Sequence, residues 1–139
     1  MLSNERCYCR GKKCGTDEWV YGYLYEEREG NISILIPRID LTWYDKNKCY
    51  IRDAEIHLVD WDTVCRFTGC YDDGGSPIFE KDVLRRRIHK EIETGFVSFH
   101  DGAFGVYLDE KGGILLSSFL DAPSNIVGNV VDNPEYLGE

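Results

Sequence analysis

The chain of 139 residues has no apolar run near the roughly 18 residues that a membrane helix needs. Its start, MLSNERCYCRGKKCG, is positively charged but has no apolar h-region, so no secretory signal and no membrane association are expected. Positive charge is scarce: 16 Lys and Arg stand against 25 Asp and Glu, a net charge of −9 at pH 7. Up to Cys70 there are 10 basic and 12 acidic residues; beyond it there are 6 and 13. Binding to nucleic acid draws on cations that displace counterions from phosphates, so nucleic acid is a poor match and a basic protein partner a better one.

Catalytic signatures are missing too. There is no H-x-x-x-H pair, no Gly-x-Ser-x-Gly elbow, no P-loop and no Gly-x-Gly-x-x-Gly. His57, His89 and His100 are isolated from one another, and a Cys together with a His somewhere in a chain is too generic to define a thiol nucleophile. A Ca²⁺ loop, with its spaced oxygen ligands and closing Glu, is also absent. No catalytic residue, cofactor or metal is expected, and the protein is read as a non-enzyme.

Six cysteines are present, but no CxxC knuckle of the kind that zinc sites favour. Cys7 and Cys9 share one side of a strand, so both face a metal or both face the core. Free Cys packs as a small hydrophobe, and the core reading is preferred. With no secretory signal, a reducing cytoplasm and free thiols are expected.

An apolar fraction of 42% with 13% aromatics suffices for a packed interior. Three Trp, nine Tyr and six Phe suit the half-buried pleat of a sheet. Strand-like runs recur between turn signals. Arg6 to Arg10 alternates, and Trp19 to Glu26, WVYGYLYE, is a strong strand with a central Gly22. An interior strand glycine marks a bulge, a bend or a close backbone approach. Asn31 to Pro37 returns after a charged hairpin end at residues 27–30, whereas residues 38–58 offer only a polar turn at Asp45 to Lys48 and a weak strand near Cys49 to Arg52. Val59 to Thr63 reads as a single helical or 3₁₀ turn with Asp60 as N-cap.

The run from Tyr71 to Leu84, YDDGGSPIFEKDVL, predicts a tight turn followed by an alternating strand. Asp72 and Asp73 in it are read as turn-closing hydrogen-bond acceptors. Lys81 to Lys90 continues as a charged strand, with a helix as the competing reading. Asp101-Gly102 predicts a two-residue hairpin between Gly95 to His100 and Ala103 to Leu108. Strands are expected over Ile114 to Leu120 and Asn125 to Val131, then a terminal helical turn with Pro134 at its first position. The result is an all-β chain. Residues 1–58 are expected to form an N-terminal β unit and residues 59–139 a second one.

Two surfaces stand out as candidate sites. Trp19, Tyr21, Tyr23 and Tyr25 alternate strictly and share one strand face, with Val20, Gly22, Leu24 and Glu26 on the other. One face is the core; an aromatic face left partly exposed would be a partner surface. Arg85, Arg86, Arg87 and Lys90 form the one basic cluster, a phosphate patch in a nucleic-acid reading. Alternation sends Arg85 and Arg87 to one side and Arg86 to the other, which splits that patch.

The blocks Arg10-Gly11-Lys12-Lys13 and Glu18-Trp19-Val20-Tyr21-Gly22-Tyr23-Leu24 resemble the opening of the YopX-like phage and prophage proteins. Further blocks follow in that family's order: Asp60, Thr63-Val64, Phe67-Thr68-Gly69, Ile78-Phe79-Glu80, Asp82-Val83, Gly95-Phe96-Val97, Asp101 to Phe104, and Ile126 to Leu137. The resemblance implies a small SH3-like β barrel over residues 59–139, with the N-terminal β unit packed on it. It also implies a phage or prophage accessory protein in the cytoplasm of a bacterial host. With the acidity and the missing catalytic motifs, the expected role is a non-enzymatic module for an unknown host or phage protein, and homo-oligomerisation is a further expectation. A nucleic-acid-associated SH3-like barrel using Arg85 to Lys90 is the alternative. Lys81 stands where the family carries a turn glycine, so either it takes positive φ at a cost on the order of 1 kcal/mol or the turn is built differently; Cys7, Cys9 and Cys70 stand where the family carries apolar residues.

Overall fold

The computed structural model describes residues 8–26, 30–45, 48–108 and 112–137. The chain is all-β, with antiparallel strands throughout, and divides into two compact units, Met1–Arg66 and Phe67–Glu139.

In the first unit, β1 (Tyr8–Lys12), β2 (Trp19–Glu26), β3 (Ile32–Asp45) and β4 (Lys48–Leu58) form a meander, with the start of β5 (Cys65–Tyr71) beside β1. Arg6 and Cys7 of the first expected strand lie outside the described residues, as do 27–29 of the charged hairpin end. The described part of the stretch 38–58, weak in sequence, belongs to β3 and β4, which pair antiparallel. Their register shifts between Arg38 and Ile39 and again between Ile39 and Tyr44, which breaks the alternation that marks a strand. The core holds Cys9, Val20, Ile34 and Val59, with Ile32, Ile36 and Val64 packed on it. Gly22 sits here because a Cβ would strike the Leu35 carbonyl oxygen of β3; the close approach is the reason for the glycine.

A 3₁₀ turn, Trp61–Thr63, leads into β5. Asp60 precedes it as expected, but its side chain makes no cap; instead its carbonyl accepts from the Thr63 amide and hydroxyl. Thr63 Oγ1 in turn accepts from the Lys12 amide at 2.8 Å.

In the second unit, the end of β5 pairs with β6 (Pro77–Phe79). A five-stranded sheet follows, built from β7 (Asp82–Ile88), β8 (Glu91–His100), β9 (Ala103–Leu108), β10 (Gly112–Leu115) and β11 (Ser124–Asn129), in the order β10-β9-β8-β7-β11. The Asp101-Gly102 turn forms as predicted, with φ of 51° and 82°. Asp72 closes its turn: Oδ1 accepts from the Gly74 and Ser76 amides, while Oδ2 accepts from Ile126 on β11. The charged stretch is strand β7, not helix.

Two expectations change. The strand read continuously from Ile78 to Leu84 breaks at Glu80-Lys81, where Lys81 takes φ 71°, the conformation its glycine slot suggested. The Lys81 amide donates to Val97 and its carbonyl accepts from Val130, both at 2.8 Å, while Asp82 Oδ2 takes the Phe79 amide. The run Ile114 to Leu120 leaves the sheet after Leu115 and forms a short helix, α1 (Leu116–Phe119). Leu116 and Phe119, three apart, both enter the core, and the two serines between them face outward. That core also contains Ile78, Leu84, Val97, Val106 and Leu108.

Candidate functional site

On the first unit, β2 turns Val20 and Gly22 inward, so its aromatic side is not the core. Trp19 and Tyr23 are half-buried; Tyr21 and Tyr25 remain 40% and 44% exposed. Register extends this side across three strands. Tyr23, Leu35 and Ile56 form one cross-strand row, and Tyr25, Ser33 and Leu58 the next. Ile56 and Leu58 are 52% and 47% exposed, so large apolar groups face solvent on both sides of β3. On β1 the same side carries Tyr8, Arg10 and Lys12. Tyr8 packs on Tyr21 and Tyr23 with centroids 6.4 and 5.9 Å apart. The Arg10 guanidinium and the Lys12 ammonium lie over the Trp19 ring, at 4.5 and 5.2 Å. The patch is therefore ordered at one end by cations on an aromatic ring and left open at the other. Burial, and then the neighbouring Tyr21 and Tyr23, push the Tyr8 hydroxyl pKa above its ordinary 10.0.

On the second unit, β7 to β9 bury one sheet face against α1. The opposite face carries a cavity of about 250 Å³ lined by Val83, Arg85, Thr94, Gly95, Phe96, Tyr107, Glu135 and Tyr136. Pairing explains the convergence. Val83 lies opposite Phe96, Phe96 opposite Tyr107, and Arg85 opposite Thr94. The Phe96 and Tyr107 rings sit 6.0 Å apart. Tyr107 lies against Gly113 of β10, whose absent Cβ would come within 2.8 Å of the ring. The fourth wall is the 3₁₀ turn Pro134–Leu137, which brings Glu135 and Tyr136 over the sheet. Asn129 and Asn133 fasten that turn. The Asn133 amide donates to the Asn129 carbonyl at 2.8 Å, and Asn129 Oδ1 accepts from the Asp132 amide at 2.8 Å.

The basic cluster does not form one patch. Arg86 is buried: its Nε and Nη2 both reach Glu93 Oε1 at 2.8 Å, Nη1 reaches the Phe119 carbonyl at 3.1 Å, and its guanidinium lies 4.4 Å over the Phe119 ring. Arg85 and Arg87 are exposed on the opposite face, and Lys90 is exposed in the β7–β8 turn, after His89 at φ 54°. Arg85 alone of the four lines the cavity. The cavity's other polar members, Thr94, Tyr107, Glu135 and Tyr136, escaped sequence reading. Their signal was the alternation of β8 and β9, which puts Thr94, Phe96 and Tyr107 on one side.

Among the described residues no group of three or more His, Cys, Asp or Glu is placed to hold a metal. Cys9 and Cys65 are buried, Cys70 is half-buried and Cys14 is exposed. Cys7 and the side chain of Cys49 lie outside the described residues. Among the described residues no helix is long and apolar enough to cross a membrane.

A family model described as YopX protein matches residues 9–138. The chain belongs to the YopX family. A search of curated proteins finds no match. Among solved structures, the crystal structure of protein EF1440 from Enterococcus faecalis is similar to this YopX-family chain, at 23% sequence identity and a TM-score of 0.44. That likeness covers 82% of this chain and 94% of the other.

Proposed function

We propose that this YopX-family protein is a non-enzymatic protein-interaction module, a phage or prophage accessory protein acting in the cytoplasm of a bacterial host. The observation that carries the reading is the open apolar patch on the first unit. Tyr21, Tyr25, Ile56 and Leu58 stand exposed around the Tyr23–Leu35 pair, on a sheet face whose other side already supplies the core. Contiguous exposed apolar side chains of this kind mark association surfaces, and aromatic residues are enriched at the centre of such interfaces. The net charge of −9, most of it beyond Cys70, adds long-range attraction for a basic protein rather than contacts at the patch. In the second unit, four strands in sequence, a short helix and a last strand returning to the first support an SH3-like barrel.

The withdrawal of Arg86 into the Glu93 pair weakens the alternative reading as a nucleic-acid-binding barrel. The test is affinity capture from host lysate, with and without nuclease, using the wild type and Tyr25→Ser/Leu58→Ser. The wild type retains a protein through nuclease treatment, and the double variant, equally folded by circular dichroism, loses it. Capture that disappears with nuclease, or survives the double substitution, refutes the reading. Light scattering on both proteins identifies a second copy of the chain as the partner if only the wild type self-associates.

A further inference from the structure

The cavity on the second unit carries a recognition chemistry that the interaction reading leaves unused. Its lining mixes polar surface with the apolar and aromatic groups of Val83, Phe96, Tyr107 and Tyr136. It also has one cation, Arg85, and one anion, Glu135. These two do not pair. The Arg85 side chain is held through its Nε, 3.3 Å from Thr94 Oγ1, and among the described residues its two Nη groups have no protein partner. The Glu135 carboxylate likewise has no hydrogen bond or ion pair among the described residues. Opposite charges that share a cavity and stay apart leave room for a ligand charged at both ends.

We propose that this cavity binds a small zwitterion with an aromatic body, of the aromatic α-amino-acid class. The ligand carboxylate takes the Arg85 Nη groups, its ammonium takes Glu135, and its ring lies among Phe96, Tyr107 and Tyr136. Size selects the class. A cavity of about 150 Å³ holds benzene. One of about 250 Å³ therefore has space for a ring and a short charged tail. It falls below the roughly 300–1,000 Å³ of sites for drug-sized ligands. Charge narrows the choice further. Glu135 disfavours a phosphate or dicarboxylate, and Arg85 disfavours a simple amine.

The probes are L-phenylalanine, its N-acetyl derivative, which lacks the ammonium, and its amide, which lacks the carboxylate. Binding is read by calorimetry and by saturation-transfer NMR on the full chain. L-phenylalanine binds saturably, and each blocked analogue binds weaker by about ten-fold or more. Arg85→Gln weakens the parent by a similar factor but barely changes the affinity for the amide. Glu135→Gln does the converse, barely changing the affinity for the N-acetyl derivative. Both residues are exposed, so the variants keep the fold, as equal circular dichroism checks. No saturation with L-phenylalanine up to about 10 mM overturns the proposal. So does a parent affinity that both substitutions leave unchanged. An N-acetyl derivative that binds as well as the parent also overturns it, pointing instead to the C-terminus of a chain.

Discussion

Arg86 and Glu93 form a shielded ion pair in the second unit, and separating them has a calculable cost. Their side chains are only 9% and 13% exposed, and they meet at 2.8 Å across the β7–β8 pair. Replacing Arg86 by Met keeps most of the aliphatic volume but takes the Arg86 guanidinium away from the shielded Glu93 carboxylate. Breaking one side of such a pair costs about 3–5 kcal/mol. Arg86 also donates to the Phe119 carbonyl, which otherwise keeps only long contacts to the Ser124 hydroxyl and the Ala122 amide, at 3.4 and 3.5 Å, so this loss adds about 1 kcal/mol or more. Against a domain stability of about 5–15 kcal/mol, Arg86→Met alone removes a large share of what holds the unit folded. Arg86→Met/Glu93→Leu removes both charges and is expected to recover at least about 2 kcal/mol of that loss. The assay is urea unfolding followed by far-UV circular dichroism and by amide NMR signals of residues 82–129. Tryptophan fluorescence does not serve, because Trp19, Trp43 and Trp61 all lie in the first unit. If the double variant is no more stable than Arg86→Met, the two charges are not coupled and the account of this contact is wrong.

Lys81 is held at φ 71° by hydrogen bonds on both its amide and its carbonyl. A β-branched Lys81→Val therefore costs about 2 kcal/mol, whereas Lys81→Gly stays within about 0.5 kcal/mol of wild type, as relief of strain offsets added chain entropy. Chemical denaturation of the three proteins decides, and a fully stable Lys81→Val variant would falsify the strained turn. Cys14 is exposed, yet reduced solvation and the Asp60 carboxylate that accepts its hydrogen bond hold its thiol pKa above the ordinary 9.0. Asp60→Asn should speed its reaction with a disulfide reagent at neutral pH by about two- to ten-fold, and an unchanged rate removes Asp60 as a cause. The folded chain keeps the proton on Tyr8 more tightly than the unfolded chain does, so this contribution is complete below pH 10.0 and is lost as pH rises through the folded value. The unfolding midpoint of the first unit should fall above that pH by less in Tyr8→Phe than in wild type, measured by tryptophan fluorescence; parallel curves would exclude Tyr8.

Local chemistry was legible in the sequence wherever one residue type answers one backbone demand. Asp101-Gly102 specified its hairpin, Asp72 its turn, and Pro134 the start of a 3₁₀ turn. Lys81 was legible only in part: its glycine slot left positive φ and a differently built turn both open, and the hydrogen bonds on its amide and carbonyl hold it in the first. Two features were hidden. The pattern Leu-Ser-Ser-Phe at 116–119 satisfies a helical spacing of three, but the preceding Ile114 and Leu116 satisfy a strand spacing of two, and the core position of Phe119 decides between them. In residues 38–58 the register shifts scramble the period itself, so neither pattern emerges. The parity of Arg86 was readable, but its burial was not. A charge on the core side is stable only because Glu93, seven residues later on the adjoining strand, is brought opposite it.

The cavity was illegible for a more general reason. Its residues run from Val83 to Tyr136, and no two of the polar members are neighbours except Glu135 and Tyr136. Alternation sorts β7, β8 and β9 into two faces, and a sequence with one obvious core assigns the second face to solvent. What makes that face a site is the closing Asn-Pro turn, fastened by Asn129 and Asn133, which places an aromatic ring and a carboxylate over an otherwise open sheet. Those asparagines are structural. Yet loosening them is predicted to act first on the cavity. Asn133→Ala removes the Oδ1 that accepts from the Asn129 amide at 3.4 Å, a long bond whose loss costs about 1 kcal/mol or less. Leu116, Phe119 and Val97 keep the core on the other face intact. The expected result is a near-normal unfolding midpoint, with ligand affinity and the NMR shifts of Phe96, Tyr107 and Tyr136 altered together. Loss of global stability without a change at those three rings would show that the turn belongs to the core and not to the cavity.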